Sequence, residues 1–297
     1  MKLQAFHKIP GSNDMERYNA LLKEHRVLYL QPKINGVSCH VSFSHDGKWL
    51  RMETKNGKTW TSHFFGKEFN DSLFALLKVN AHDIVLHGEL AARDENMKLA
   101  TFAGHVNVNS VACGLPYGEF VFYVYDVSRS NVAEPFGFRR KRLQHLQHNL
   151  PDPIIKYLPA YVVYKAQEID DYYKTVLLRG GEGIVIRCDP CYYFDGIRET
   201  PHGWKHPQYF TDEGTIIAVV EGLGKREGML GSFVLRLDDG ETVLSVGGGE
   251  GVDDALLIKY WNDRNLLIRS RLTFRYSEKS RTGTPLRPQI VSVRNYE

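Results

Sequence analysis

The stretch LYLQPKINGVSCHVSF, Leu28 to Phe43, is where the reading of this chain begins. Leu28–Leu30 and Val37–Phe43 are apolar or alternating runs that predict strands, and Lys33-Ile34-Asn35-Gly36 sits between them. A lysine in such a setting is ordinarily a surface lysine. To act as a nucleophile it needs a depressed pKa, because a free side chain at ~10.4 stays protonated at neutral pH. Neighbouring cations and partial desolvation would supply that shift.

Outward from this stretch, further strands are predicted at Trp49–Thr54, Ile84–Leu90, Phe120–Val127, Gly183–Arg187 and Gly214–Val220. Helices fall between them. Asn13–His25 sets Met15, Tyr18, Leu21 and Leu22 on one face, Arg139–Asn149 is halted by Pro151, and Glu168–Arg179 ends at Gly180-Gly181. The polar, Pro-containing segment His202–Glu213 reads as a domain boundary. Beyond it come short strands, turns at Asp238-Asp239-Gly240, Gly247–Gly251 and Arg281–Pro285, and one helix near Asp253–Asn262. About five strands and a helix are what an OB barrel needs. Taken with the family resemblance set out below, the expected fold is α+β: a domain of antiparallel sheets over residues 1–208, then a C-terminal OB-fold β-barrel over 209–297.

A chain of 297 residues accommodates two domains, and 42% hydrophobic with 25% charged residues is an ordinary globular composition. No apolar run approaches the ~20 residues of a membrane span, and MKLQAFHKIPGSND lacks the apolar core of a secretory signal. A cytoplasmic location without membrane partners is expected, and the four scattered cysteines agree with it. The formal charge of +3 identifies no partner. The run Arg139–Arg142, Lys225 and Arg226, and the C-terminal arginines would suit a phosphate backbone, although each cluster alone is more often a solvated face.

The remaining segments are weak singly and informative in order: His87-Gly88-Glu89-Leu90, Phe122 to Asp126, Glu182 to Arg187, and Trp204-Lys205. An attacking lysine, two separated carboxylates, an aromatic strand and a later lysine are what nucleotidyl transfer requires. In this order the chain resembles the covalent nucleotidyltransferases, specifically the small ATP-dependent DNA ligases of viruses and bacteria. Lys33 to Gly36 resembles their K-x-D-G motif, and Thr54-Lys55-Asn56-Gly57 resembles the segment that follows it. His87 to Leu90 resembles D-G-E-L, and Tyr125-Asp126 stands at the place of the adenine-stacking aromatic. Glu182 to Arg187 and Trp204-Lys205 resemble the next two motifs, and Glu213 to Ile217 the start of the family's OB domain. Gly283-x-Pro285-x-x-Pro288 followed by Arg294 resembles the C-terminal ending of small DNA ligases.

The resemblance implies that Lys33 takes AMP from ATP, passes it to the 5′-phosphate of a nick in double-stranded DNA, and is freed when the 3′-hydroxyl displaces AMP. It implies Glu89 at the ribose, Tyr125 on adenine, Lys55 and Arg294 among the cofactor-binding residues, and Lys205 at the α-phosphate as a second catalytic group. Glu182 would hold Mg²⁺ or Mn²⁺, and a monomer is expected. Four positions depart from the family pattern. Asn35 stands for Asp, Ser38 for Arg, His87 for Asp and Pro207 for Lys. The ending Arg294-Asn295-Tyr296-Glu297 also departs from R-x-D-K. Lys55, Arg51 or His206 are the candidates to replace the lost cations. An RNA ligase of the same superfamily and a non-catalytic nucleic-acid clamp are the rival functions. Cys188-Asp189-Pro190-Cys191 has no second pair to complete a zinc site and reads as ordinary thiols.

Overall fold

The computed structural model describes residues 7–8, 14–43, 50–60, 65–79, 83–94, 97, 99–107, 118–129, 132–149, 153–189, 203–249, 252–280 and 282–294. The chain forms two compact units, Met1–His206 and Pro207–Glu297.

In the first unit, alternation along the strands builds two sheets, each with an apolar and a polar face. One has five strands in the order His7–Lys8, Gly203–Pro207, Gly183–Cys188, Leu28–Pro32, Tyr161–Val163. Leu28, Leu30, Ile184, Ile186 and Trp204 pack on Tyr18 and Leu21 of helix Asp14–His25 and on Ile169 and Val176 of helix Ala166–Leu178. The other has six, in the order Thr59–Trp60, Leu50–Thr54, Val37–Phe43, Ile84–Ala92, Phe120–Arg129, Ile155–Tyr157. Cys39, Val41, Leu86, Leu90, Phe120, Phe122 and Val124 line its apolar face, under Phe69, Leu73 and Leu77 of helix Lys67–Val79. The opposite face of these strands carries the polar residues Gln31, Ser38, His40, His87, Glu89 and Asp126 among a few apolar ones such as Val85 and Val121.

The second unit closes into a barrel ordered Phe210–Glu221, Leu230–Leu237, Val243–Gly247, Gln289–Arg294, Arg271–Tyr276. Ile216, Phe233, Leu235, Val246, Leu272, Phe274 and Ile290 fill it. Helix Asp254–Asn262 is capped by the Asp253 carboxylate, which accepts from the Leu256 N–H at 2.8 Å, and Leu257 packs against the barrel interior.

Helices Lys67–Val79 and Leu99–His105 were not expected from the sequence. The described part of His202–Glu213, the segment read as the boundary, is mostly strand, with Gln208 and Tyr209 between Gly203–Pro207 and Phe210–Glu221, and the division into units falls within it. Polar side chains disguised the first strand, because Trp204 and His206 alternate inward against the helices while Lys205 points out.

Candidate active site

Backbone register places the first pair. Gly183–Cys188 runs antiparallel to Leu28–Pro32 with Ile184 opposite Pro32. One step on, the Lys33 N–H donates to the Gly183 carbonyl at 2.8 Å. That turn sets the Lys33 ammonium against the Glu182 carboxylate in a close ion pair, with both side chains partly open to solvent. Residues 149 positions apart in sequence thus meet through two neighbouring strands.

Two glycines bring Glu89 and Tyr125 to the same sheet face. A Cβ on Gly36 would strike the Leu90 carbonyl and come within 2.7 Å of Glu89 Cγ, so only glycine lets the Lys33 loop lie on Glu89. A Cβ on Gly88 would strike the Phe122 ring and sit 2.6 Å from the Tyr123 carbonyl. Across from Gly88 the ladder slips: His87 pairs with Asp126 and Gly88 with Val124, which leaves Tyr125 as the extra residue of a β-bulge. Bulges re-aim side chains in this way. The bulge frees the Tyr125 carbonyl to accept from Gln31 Nε2 at 2.8 Å, and Arg187 lies beneath the Tyr125 ring with its guanidinium carbon 5.4 Å from the centroid.

The electrostatics link these groups. Burial, opposed by the Lys33 and Lys55 charges and reinforced by Glu182, leaves the Glu89 carboxyl raised to about 7. Of the three substitute cations suggested by the sequence, Lys55 is the one whose charge reaches this carboxyl. Arg51 is bound to Glu53 at 2.6 Å. His206 is buried against Tyr18 and Tyr173, its Nδ1 3.4 Å from the Tyr18 hydroxyl, so it does not stand in for a phosphate-binding lysine.

Two of the departures from the family pattern meet in one hydrogen-bond chain. Ser38 Oγ lies 3.1 Å from His40 Nε2, His40 Nδ1 lies 2.8 Å from His87 Nδ1, and His87 Nε2 lies 2.7 Å from Ser128 Oγ. Burial holds His40 down to about 4 and His87 well below its ordinary value. Arg139 and Arg187 push His87 the same way. Two neutral rings therefore share one proton between their Nδ1 atoms.

Behind the site sits a fully buried ion network. Asp126 accepts from Arg139 Nε and Nη2, both at 3.0 Å, and from Arg187 Nη1 at 2.8 Å. This corrects the reading of Arg139–Arg142 as a phosphate-facing run. Arg139 is buried on Asp126, Arg140 lies over the Tyr29 ring, and Arg142 grips Glu134 at 2.6 and 2.8 Å. Only Lys141 of the four is exposed. Sequence reading also passed over Gln31, which is 1% exposed. Its Nε2 donates to the Tyr125 and Leu158 carbonyls, which fixes the amide, and its buried Oε1 has no partner among the described residues. Strand alternation opposite Leu30 was the available signal.

Lys205 is exposed on Gly203–Pro207, in the same sheet as Leu28–Pro32. Arg294 belongs to the second unit, where its Nε donates to Thr273 Oγ1 at 2.9 Å and pairs with Glu213 at 3.0 Å. Residues 295–297, Pro151 and Cys191 lie outside the described residues, and Cys188 is buried. Among the described residues, no helix is long and apolar enough to cross a membrane.

With this geometry in place, a family model described as the ATP dependent DNA ligase domain matches residues 12–205. The DNA ligase of Methanocorpusculum labreanum is 26% identical over 230 residues, covering 74% of this chain and 40% of its own. That of Methanobrevibacter smithii is 27% identical over 188 residues, 59% of this chain and 33% of its own. The chain thus spans two fifths or less of the length of these relatives. Among solved structures, Pmar-Lig_Pre has a TM-score of 0.76 at 20% identity over 100% of this chain and 68% of its own. A Lig E DNA ligase described as binding DNA with a minimal scaffold has a TM-score of 0.63 at 20% identity, covering 99% of both chains. The ATP-dependent DNA ligase of bacteriophage T7, in complex with ATP, has a TM-score of 0.54 at 18% identity over 97% of this chain and 98% of its own. Likeness at these identities is likeness of fold.

Proposed function

Because this chain belongs to the family of ATP-dependent DNA ligase domains, we propose that it is itself an ATP-dependent ligase that seals nicks in double-stranded DNA. The observation that carries this reading is the meeting of Lys33 with Glu182, with the Glu89 carboxyl near enough to feel both charges. In this reading the Lys33 amine attacks the α-phosphorus of ATP. A nitrogen–phosphorus bond forms, the bond to pyrophosphate breaks, and the proton shed by the lysine nitrogen passes to water. AMP then passes to the 5′-phosphate of the nick, and the 3′-hydroxyl displaces it to form the phosphodiester.

An ammonium is not a nucleophile. The ion pair with Glu182 is therefore a resting arrangement, and Lys33 is freed for attack when Glu182 turns to other partners. Tyr125 stacks on the base, with Arg187 supporting the ring from behind. Glu89 holds the ribose hydroxyls, Lys55 adds positive charge beside it, and Lys205 and Arg294 meet the phosphates.

Glu182, with Glu89 close by, is a hard oxygen donor set that suits Mg²⁺ or Mn²⁺ held by one or two carboxylates and substrate phosphates. Among the described residues no group of three His, Cys, Asp or Glu could hold a metal alone. When bound, the metal offsets phosphate charge. The closed barrel is read as the OB domain, residues 209–297, following an adenylation domain over 1–208. The protein would act as a cytoplasmic monomer on nicked duplex.

Incubation with Mg²⁺ and α-labelled ATP, followed by a denaturing gel, tests the reading. Label on the protein, discharged by nicked DNA and absent in Lys33→Ala, is the expected result. Label on Lys33→Ala, or none on folded wild type freed of prior adenylate, would overturn it.

A further inference from the structure

On the barrel, the start of Phe210–Glu221 and the end of Arg271–Tyr276 carry a strip of rings and cations that nick sealing as described leaves unused. Phe210 pairs with Tyr276 and Thr211 with Arg275 across the two strands. The Phe210 and Tyr276 rings stack, with centroids 5.6 Å apart and planes 29° apart. Tyr276 is buried, whereas Phe210 is 43% exposed. The Lys279 ammonium lies 5.6 Å from the Tyr276 centroid, and the Arg275 guanidinium carbon lies 4.5 Å from that of Tyr209. Arg275 is steadied by Gln289 Oε1, which accepts from its Nε and Nη2 at 3.2 Å each.

A merely solvated face does not need three aromatic rings, and a patch built for an apolar partner does not need two cations laid over them. Exposed ring plus flanking cation is the pairing that binds a single nucleic-acid strand: bases stack on the ring, and phosphates meet the charge. Intact duplex offers no free base face, so the strip discriminates between the two forms. Tyr276 takes one face of the Phe210 ring and holds it in place, which lowers the entropy lost when a base stacks on it.

We propose that this strip is a platform for an unpaired DNA strand, with one base on Phe210 and neighbouring phosphates on Lys279 and Arg275. The inference goes beyond the sealing of a nick, whose bases are all paired. It assigns the barrel a role with gaps, overhangs or displaced strands, and it is independent of Lys33 because strand binding consumes no ATP.

Fluorescence anisotropy of a labelled oligothymidylate about 12 nucleotides long, competed with unlabelled blunt duplex, tests it on the full chain. Phe210→Ala should weaken single-strand binding about tenfold and leave duplex binding unchanged. Phe210→Leu keeps an apolar contact with Tyr276 but has no aromatic face, and should match Phe210→Ala. Lys279→Ala should flatten the salt dependence by about 0.7 in log–log slope, the share of one phosphate contact on a single strand. Adenylate formation on Lys33, run in parallel, should stay at the wild-type level in both Phe210 variants and so reports intact folding. Unchanged single-strand affinity in Phe210→Leu, equal weakening toward duplex, or no single-strand binding by wild type would each overturn the proposal. Absence of adenylate in wild type would strike the ligase reading instead and leave the binding result standing.

Discussion

Replacing Asp126 with Asn perturbs the one point at which Arg139, Arg187 and the bulged strand all meet. The carboxylate is fully buried and accepts from Arg139 Nε and Nη2, from Arg187 Nη1 and from the Val127 N–H at 2.7 Å. An Asn amide keeps one acceptor oxygen but turns an NH₂ toward a guanidinium. Two arginines, 1% and 2% exposed, would then lack their anion. Breaking a buried pair in this way costs about 3–5 kcal/mol. That is a large part of a typical domain stability of ~5–15 kcal/mol. With a urea slope of ~2 kcal/mol/M, the midpoint should fall by about 2 M. Urea titration read on Trp60 and Trp204, in a background with the other two tryptophans replaced by Phe, isolates the first unit. The triple variant Asp126→Leu, Arg139→Met, Arg187→Met should recover most of the loss, because it removes the charges together. A midpoint shift in Asp126→Asn worth less than about 1 kcal/mol would refute the argument, since the arginines would then be reaching water or another anion.

The histidine pair predicts acid sensitivity. Both rings are neutral in the fold and His40 sits at about 4, against an ordinary value of ~6.5. Stability is therefore intact above pH ~6.5 and falls as the pH drops toward 4, because the unfolded chain takes the proton first. The His40 share is on the order of 3 kcal/mol. His40→Gln with His87→Gln should flatten that slope, and an unchanged slope would assign it to other groups. Gly88→Ala should push on the Phe122 ring and the Tyr123 carbonyl, cost about 1–3 kcal/mol and slow labelling by ATP; wild-type labelling would show that the bulge is not needed. Lys55→Ala removes a charge that lowers Glu89, so the carboxyl should titrate above its present value of about 7 by NMR; no movement would place Lys55 too far away to matter.

Strand periodicity, the placing of Lys33 between two strands and the order of the carboxylate and aromatic segments could all be read from the residues. They are local properties, because alternation fixes which face a side chain takes. The sequence did not disclose which charged residues are spent on structure. Arg139–Arg142 looked like a surface run because composition records charge and not partner, and only the fold supplies Asp126 and Glu134 to occupy it. Gln31 was hidden for the same reason, since only the fold brings the Tyr125 and Leu158 carbonyls to its amide. The departures at Ser38 and His87 looked like independent losses in one dimension. Across neighbouring strands they lie in one hydrogen-bonded row with His40. Residue order determined the chemistry available to this chain, and strand register, a property of residues far apart in sequence, decided which groups meet.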